Sequence, residues 1–292
     1  MKFTGDERRI LDDNRSGSSE ILRAVVTYAR RILSRRSESR AEAVRLKAFC
    51  RAVGRTFPAM TMVVVGLERL EGIIDGHLSD RGSRRDAVAA IDGLAAVIDG
   101  ACDRVIKNAR FLFRRKITVS TFSNSGLVKK VLAHYCRKIR KVYLSEARPA
   151  GEGKELARYL AGRGLAVVYG PDALLPSLVT QADLLVLGAD SVGGKTFVNK
   201  TGSGMLLAAA REAGVTRAVV FESLKAVAED TSRSTDTSGP VTELWAGRRP
   251  SGVEVLNRYF ESIPNRLVDH FISDSGADSP AELARRIKTI SR

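Results

Sequence analysis

The sequence predicts an α/β fold in which an N-terminal helical bundle is followed by a Rossmann-like, doubly wound parallel sheet. Up to about residue 115, apolar side chains recur at the spacing of helical turns. From Ile117 onward, short β-branched runs alternate with segments of helix length, which is typical of βαβ units. The chain has 292 residues, enough for two domains. We place these domains at residues 1–115 and 116–292.

The N-terminal part contains four or five predicted helices. One apolar stripe consists of Ile21, Leu22, Val25, Val26, Ala29, Ile32 and Leu33. Ser39 and Glu42 have the spacing of a capping box, and Ser83 and Asp86 mark a similar helix start. Glycines such as Gly54 separate the periodic segments. Together these signals predict a bundle.

The C-terminal part contains five clear strand patterns and a sixth, weaker one. They are ITVST (117–121), KVYLS (141–145), LAVVY (165–169), DLLVLGA (183–189), RAVVFE (217–222) and, later, LVDHFISD (267–274). Helices are predicted near 125–138, 152–162, 171–179 and 201–213. Apolar strands separated by helices indicate a parallel sheet covered on both faces, and right-handed crossovers then give the doubly wound arrangement.

Polar clusters follow four of these strands where each strand ends. They are STFSNSG (120–126), SEARP (145–149), GADS (188–191) and ESLK (222–225). In open α/β sheets, ligands bind outside the carboxyl ends of the strands, so we expect one pocket there. Its lining mixes acids such as Glu146 and Asp190 with bases such as Lys200 and Lys225. Cations hold phosphates and carboxylates hold hydroxyls, so this mixture suits a phosphorylated, polyhydroxylated ligand.

Within this pocket, the loop STFSNSG is compatible with three roles for Ser123: a nucleophile, a phosphate ligand or a helix cap. We expect Ser123, Asn124 and Ser125 to contact the ligand or cap the helix. A serine needs an adjacent base to react, and the neighbouring sequence supplies none, because Phe122 precedes Ser123 and His134 lies three turns down the next helix.

The other pocket candidates also have structural alternatives. Asp190 follows a buried strand, where Asp binds a ligand or caps a turn. Asn199 and Lys200 precede a helix, and Lys200 is expected to meet an anionic ligand there unless it is simply solvated. Glu146 contacts the ligand or pairs with Arg148.

The net charge of +15 indicates a surface that attracts polyanions. Basic residues are densest between residues 30 and 55, where only Glu38 and Glu42 oppose them. This face is either a solvated surface or a contact for nucleic acid or the ribosome. Neither a GxGxxG nor a Walker sequence is present, which argues against a dinucleotide-binding or P-loop protein.

Three scattered cysteines and three scattered histidines form no metal-ligand spacing. We therefore expect no metal and no cofactor. Sparse cysteines suit a reducing compartment, the first residues lack an apolar signal core, and no apolar run could span a bilayer. We expect a cytoplasmic protein without membrane contact.

The stretch GADSVGGKTFVNKTGSGMLLAAAREAGV (188–215) resembles the initiation factor 2B family. That family joins regulatory subunits of translation initiation factor 2B with methylthioribose-1-phosphate isomerase and ribose-1,5-bisphosphate isomerase. The resemblance extends to YLSEARPAGEGKELARYL (143–160), NRYFESIPNRLVDHFISDSG (257–276) and, in the helical part, DNRSGSSEILRAVV (13–26).

The resemblance implies a homodimer and a sugar-phosphate pocket between the helical and Rossmann-like domains. Asp190 matches the catalytic Asp of the isomerases, and Asn199 and Lys200 match their Asn-Lys pair. The N-terminal substrate loop falls at Arg15, Gly17 and Ser18. The catalytic Cys falls at Ser123, and Phe57 stands where the isomerases have a substrate-holding Arg.

These departures favour a family member that binds a phosphorylated sugar or nucleotide without the usual Cys-dependent chemistry, as the regulatory subunits do. A serine has no accessible ionised state comparable to a thiolate. One alternative is an active aldose–ketose isomerase of a 1-phosphorylated pentose, ribose 1,5-bisphosphate or methylthioribose 1-phosphate, in which Asp190 carries more of the proton transfer. Another is a translation- or RNA-associated protein that uses its basic helical domain.

Overall fold

The computed structural model describes residues 3–13, 16–35, 39–79, 83–228 and 238–290. It divides into two compact units, Met1–Ala101 and Cys102–Arg292. No helix in the described ranges is both long enough and apolar enough to cross a membrane.

The first unit is helical. Its helices are α1 Gly5–Leu11, α2 Ser18–Leu33, α3 Arg40–Thr56, α4 Thr61–Leu78 and most of α5 Arg84–Asn108. The predicted capping box at Ser39 is confirmed: the Ser39 hydroxyl accepts a hydrogen bond from the Glu42 amide, and the Glu42 carboxylate accepts one from the Ser39 amide. The predicted apolar stripe on α2 is buried throughout.

The basic segment of this unit is neutralised more fully than its own sequence suggests. Six of its cations form ion pairs, and five of these pairs use acids from outside the segment: Arg30–Asp92, Arg31–Asp6, Arg35–Glu42, Arg45–Glu7, Lys47–Asp75 and Arg51–Glu71. Arg36 and Glu38 lie outside the described residues. The charge density read along the chain therefore overstates the free positive charge of this face.

The second unit contains a seven-stranded sheet. Its strands are β1 Ile117–Ser120, β2 Ile139–Ser145, β3 Val167–Gly170, β4 Leu184–Leu187, β7 Thr216–Val220, β9 His270–Ser273 and β10 Gly276–Asp278. They lie in the order β10-β9-β7-β4-β1-β2-β3, and all neighbours are parallel except β9 and β10. The predicted parallel sheet is confirmed, including the late strand.

Helices cover both faces of this sheet. They are α6 Gly126–His134, α7 Gly153–Ala161, α8 Leu175–Val179, α9 Ser203–Glu212 and α10 Pro280–Ile290. Leu184 and Val186 of β4 lie in the apolar cluster that includes α6 and α7, whereas Leu185 and Leu187 lie in the cluster that includes α8, α9 and α10. Successive side chains of a strand point to opposite faces, so the sheet is doubly wound.

A separate three-stranded antiparallel sheet follows β4. It consists of β5 Ser191–Val192, β6 Thr196–Lys200 and β8 Phe260–Pro264, with β6 in the middle. The sequence did not predict this sheet, because β6 pairs with a strand more than fifty residues later in the chain. It fixes the position of Asn199 and Lys200, which end β6.

Helix α5 runs from the first compact unit, which ends at Ala101, into the second. Helix α5 continues to Asn108 and is followed by a 3₁₀ turn, Ala109–Phe113. Val105, Ala109 and Phe113 are buried in the same apolar cluster as β1. The apolar residues of this linking segment therefore pack with the sheet.

Candidate functional site

The site candidates lie at the topological switch point of the seven-stranded sheet. From β1 the chain proceeds to β2 on one side, whereas β4 lies on the other side. The loops after β1 and β4 touch, because a Cβ placed on Gly188 would lie 2.6 Å from the Ser125 hydroxyl oxygen. Ligands of doubly wound proteins bind in the crevice at this point.

Ser123 forms a hydrogen bond with a carboxylate that was not among the residues predicted for the site. Its Oγ donates to Glu152 Oε1 at 2.9 Å. Ser123 has a left-handed backbone with φ of 67°, a conformation that non-glycine residues adopt at a cost and that clusters at functional sites. Phe122 beside it is buried. The sequence next to Ser123 supplies no base, but the fold brings the Glu152 carboxylate to it from 29 residues away.

Glu152 also pairs with Lys200. The Lys200 ammonium lies 3.0 Å from Glu152 Oε1 and 5.2 Å from the centre of the Tyr259 ring. Lys200 is buried, so its charge needs this partner. A single carboxylate thus joins the loop after β1 to the end of β6.

A second buried ion pair lies at the end of β7. Lys225 Nζ lies 3.2 Å from Glu222 Oε2 and donates to the Ala189 carbonyl oxygen at 2.9 Å. Burial alone would lower the pKa of Lys225, but the nearby carboxylates of Glu222 and Asp190 outweigh it and raise that pKa above its ordinary value. Lys225 is therefore a fixed cation beside Asp190.

The charges of both ion pairs act on Asp190. Removal from water raises its pKa above the ordinary value. Lys225 and Lys200 oppose this shift, whereas Glu222 and Glu152 add to it. A carboxyl group that holds its proton more tightly is suited to exchanging protons with a sugar oxygen or carbon. Together, the carboxylates of Glu152, Asp190 and Glu222 outnumber the ammonium groups of Lys200 and Lys225 by one, which leaves one excess negative charge.

Replacing Asp190 with asparagine is expected to stabilise the protein near neutral pH. The pKa of Asp190 is higher in the folded protein than in the unfolded chain, so at low pH its protonated form favours the folded state. That contribution to stability is lost as pH rises through the folded pKa. The advantage of Asp190→Asn should therefore grow as pH rises from the ordinary value of 3.8 through the raised pKa. Thermal unfolding of both proteins across this pH range measures it.

The exposed Glu254 provides the matched control. Glu254→Gln removes the same charge from an exposed position, whereas Asp190 is half-buried, so the melting temperature of this variant should follow the wild type. An Asp190→Asn protein that melts below the wild type at neutral pH would show that the ionised Asp190 stabilises the fold.

Asn199 and Ser125 have structural roles here. Asn199 is buried, and its Nδ2 donates to the Ser203 hydroxyl at 3.0 Å, at the start of α9. Ser125 is the N-cap of α6, since its hydroxyl accepts from the Val128 amide. The start of α9 is occupied as well: Glu261 Oε1 accepts from the amides of Gly202 and Gly204. The protein itself thus supplies the anion there.

Two enclosed polar atoms of the loop after β1 lack a partner. They are Thr121 Oγ1 and Asn124 Oδ1. The Asn124 amide nitrogen donates to Glu155 Oε2 at 3.0 Å, which aligns the side chain. Unpaired buried polar atoms are rare in folded proteins because each costs about 1–3 kcal/mol. These two are therefore candidates for ligand contacts.

Two other predicted residues, Glu146 and Arg148, lie in the loop after β2. Glu146 is half-buried, while Arg148, its possible partner, donates to the Glu243 carbonyl oxygen. Gly17 and Ser18 belong to the helical unit, where Ser18 starts α2. Arg15 lies outside the described residues. Phe57 is the C-cap residue that follows α3 in that helical unit. Among the described residues, His, Cys, Asp and Glu side chains form no group of three that could hold a metal.

A helical unit, a doubly wound sheet and a charged cluster at the switch point define a two-unit α/β protein with a Rossmann-like C-terminal part. The sequence profile of the initiation factor 2 subunit family matches residues 14–280. The chain belongs to this family, as its motifs predict.

Curated relatives include sugar-phosphate isomerases. The chain is 29% identical over 151 residues to ribose 1,5-bisphosphate isomerase of Pyrococcus furiosus, covering 48% of this chain and 45% of the relative. It is 30% identical over 196 residues to methylthioribose-1-phosphate isomerase of Gemmatimonas aurantiaca, covering 64% and 54%. The chain thus spans about half the length of the curated relatives it matches.

Solved structures share the fold along nearly the whole chain. Translation initiation factor eIF-2B of Pyrococcus horikoshii has a TM-score of 0.74 at 20% identity, and the match covers 97% of each chain. 5-Methylthioribose 1-phosphate isomerase of the same organism has a TM-score of 0.76 at 18% identity, covering 98% of this chain and 87% of that one. One fold therefore occurs both in the translation factor and in the isomerase.

Proposed function

We propose that this protein binds a phosphorylated sugar or nucleotide at the switch point of its sheet and lacks the usual Cys-dependent isomerase chemistry. The observation that carries this proposal is Ser123. It lies in the switch-point loop with a hydroxyl in place of a thiol, and that hydroxyl is held by Glu152. A hydroxyl provides contacts for a ligand without the accessible thiolate of a cysteine.

The charges of the cluster suggest how the ligand lies. Glu152, Asp190 and Glu222 outnumber Lys200 and Lys225, and both lysines already pair with carboxylates. Sugar hydroxyls are therefore the better partners for this cluster. The unpartnered Thr121 Oγ1 and Asn124 Oδ1 add further hydrogen-bonding positions. The phosphate of the ligand lies away from the excess negative charge.

Thermal-shift measurements with ribose 1,5-bisphosphate, methylthioribose 1-phosphate, AMP and inorganic phosphate test this proposal. A ligand at 100 times its Kd stabilises the folded state by about 2.7 kcal/mol. For a protein of this size that raises the melting temperature by roughly 5 °C. No shift with any phosphorylated sugar or nucleotide would overturn the proposal.

Two variants locate the binding. Asp190→Asn should abolish the ligand-induced shift even though the unliganded variant is expected to be more stable. Glu254→Gln, on the exposed surface, should keep the full shift. An unchanged ligand response in Asp190→Asn would place the ligand elsewhere.

A second candidate, an active isomerase of a 1-phosphorylated pentose, is favoured by one observation. Glu152 supplies Ser123 with the adjacent carboxylate that a serine needs to transfer a proton. In this mechanism Asp190, whose pKa is raised, exchanges the second proton. Both groups belong to the chain itself, and the reaction needs no net oxidant.

Turnover assays distinguish the two candidates. An active isomerase should convert a phosphopentose and lose roughly 10²–10⁴-fold in rate on Asp190→Asn or Glu152→Gln. If the wild type is inactive and Ser123→Cys creates turnover, the binding protein is supported, because the missing thiol then accounts for the lost chemistry.

We further propose that the protein is a cytoplasmic homodimer. The family resemblance supports the homodimer, and one neighbour of the same fold is described as a tetrameric eIF2B-beta2-delta2 complex from C. thermophilum. The sparse cysteines support the cytoplasmic location. Light scattering of the full chain tests the oligomeric state, and a monomer at micromolar concentration would contradict the dimer.

A further inference from the structure

Among the described residues, a large group of cations with few acidic partners lies in the second unit, away from the site described above. Between residues 104 and 145 the sequence contains twelve lysines and arginines and no aspartate or glutamate. Six exposed cations lie at the starts of β1 and β2 and form what we call the strand-start cluster: Arg114, Arg115, Lys116, Arg137, Lys138 and Arg140.

The fold brings these six residues together. Ile117 of β1 is the register partner of Ile139 of β2, which places Lys116 beside Lys138. The ring of Phe113 stacks on that of Tyr135 with centroids 4.3 Å apart. Arg114 comes directly after Phe113 and Arg137 comes two residues after Tyr135, so this contact brings their chain segments together. Because β1 and β2 are parallel, the cluster lies at the edge of the sheet opposite to Ser123.

Little negative charge offsets this cluster. Arg115 and Arg140 share one carboxylate, Asp183, at 3.4 and 2.9 Å. Asp183 also accepts a hydrogen bond from the Thr118 amide. Within the described ranges, the other four cations form no ion pair with an acid. The basic helical segment differs, since six of its cations are paired.

The chemistry of the cluster points to several phosphates rather than one. A single phosphate engages two or three cations, whereas six exposed cations on two adjacent strands suit a chain of phosphodiesters. None of the exposed large apolar side chains lies between residues 104 and 145, so this surface lacks the groups that insert into a membrane. Among its aromatic rings, Phe113 and Tyr135 stack on each other, which removes them as stacking partners for unpaired bases.

We propose that the strand-start cluster binds the phosphate backbone of a double-stranded nucleic acid. Contacts to phosphates position a protein without reading sequence. Affinity should therefore depend weakly on base sequence and strongly on salt.

Fluorescence anisotropy of the full-length protein with labelled duplex RNA and duplex DNA tests this. The strand-start variant is Arg114→Gln, Lys116→Gln, Arg137→Gln and Lys138→Gln. At about 0.1 M salt it should lose roughly tenfold or more in affinity, and the slope of log K against log salt should fall by about three. Comparing the titrations with duplex RNA and duplex DNA identifies the preferred backbone. If the wild type binds neither duplex, the proposal is overturned.

A matched control removes the same charge from the helical unit: Arg40→Gln, Arg55→Gln, Arg69→Gln and Arg85→Gln, all at exposed positions. This variant should keep affinity within about threefold. Equal losses in both variants would show that net charge alone governs binding and would overturn the proposal.

Two further measurements separate the cluster from other causes. Arg114→Lys with Arg137→Lys keeps the charge and should keep binding, which tests whether loss in the glutamine variant reflects misfolding.

Binding to phosphatidylserine vesicles is the second measurement. If the protein bound these vesicles more tightly than either duplex, and the strand-start variant lost that binding, the surface would be a membrane contact and the proposal would be overturned.

Discussion

Replacing Gly153 with alanine is expected to destabilise the second unit by about 3 kcal/mol, because the added methyl group has no space. A Cβ at this position would lie 1.8 Å from the Ser145 carbonyl oxygen and 3.0 Å from the Ser145 carbonyl carbon. Both are backbone atoms at the end of β2, so no side-chain rotation relieves the overlap. Urea unfolding followed by circular dichroism gives the change in free energy.

The same substitution should also disturb the candidate site. Gly153 begins α7 and its amide donates to the Glu146 carbonyl oxygen at 3.0 Å. Moving the start of α7 moves Glu152, which holds both Ser123 and Lys200. Any ligand-induced thermal shift should therefore decrease.

Gly126→Ala is the matched control. Gly126 is the exposed first residue of α6, and a methyl group added there would meet no atom within 4 Å beyond its chain neighbours and its own helix backbone. Alanine is favoured in helices, so this variant should be as stable as the wild type or slightly more stable. A Gly153→Ala protein that unfolds within about 0.5 kcal/mol of the wild type would show that β2 and α7 separate easily.

The sequence predicted the parts of the fold that depend on local patterns. Strands such as β4, four consecutive apolar residues, are buried on both faces, which makes them apolar throughout. The apolar stripe on α2 was equally easy to predict from the sequence, because it faces a hydrophobic core. Asp190 was predicted at the sheet edge because the topology of parallel strands places every strand end there.

The contacts missed by sequence reasoning join residues far apart in the chain. Glu152 is 29 residues from Ser123 and 48 from Lys200, and nothing in its own neighbourhood marks it as their partner. One signal was available: Glu152 follows SEARP, a polar cluster already placed at the sheet edge. The ion pairs of the helical unit were missed for the same reason, since acids on other helices provide the partners.

Replacing Lys225 with methionine is expected to destabilise the protein by about 3 kcal/mol or more. The side chains of Lys225 and Glu222 are only 14% and 11% exposed. Methionine fills similar space but leaves the Glu222 carboxylate buried without its cation, and it removes the hydrogen bond to the Ala189 carbonyl oxygen. For comparison, Arg23→Met breaks an exposed pair with Asp99 and should cost no more than about 1 kcal/mol.

The double variant Glu222→Gln with Lys225→Met shows whether an unpaired charge causes the loss. Removing both charges should recover much of the stability lost in Lys225→Met, because a neutral amide costs less to bury than a carboxylate. Asp190 would still lose a neighbouring cation, so recovery should be greater at low pH, where its carboxyl is protonated. Denaturant unfolding of the wild type, the two single variants and the double variant forms a complete cycle. A double variant less stable than Lys225→Met would show that Glu222 stabilises this region through contacts other than Lys225.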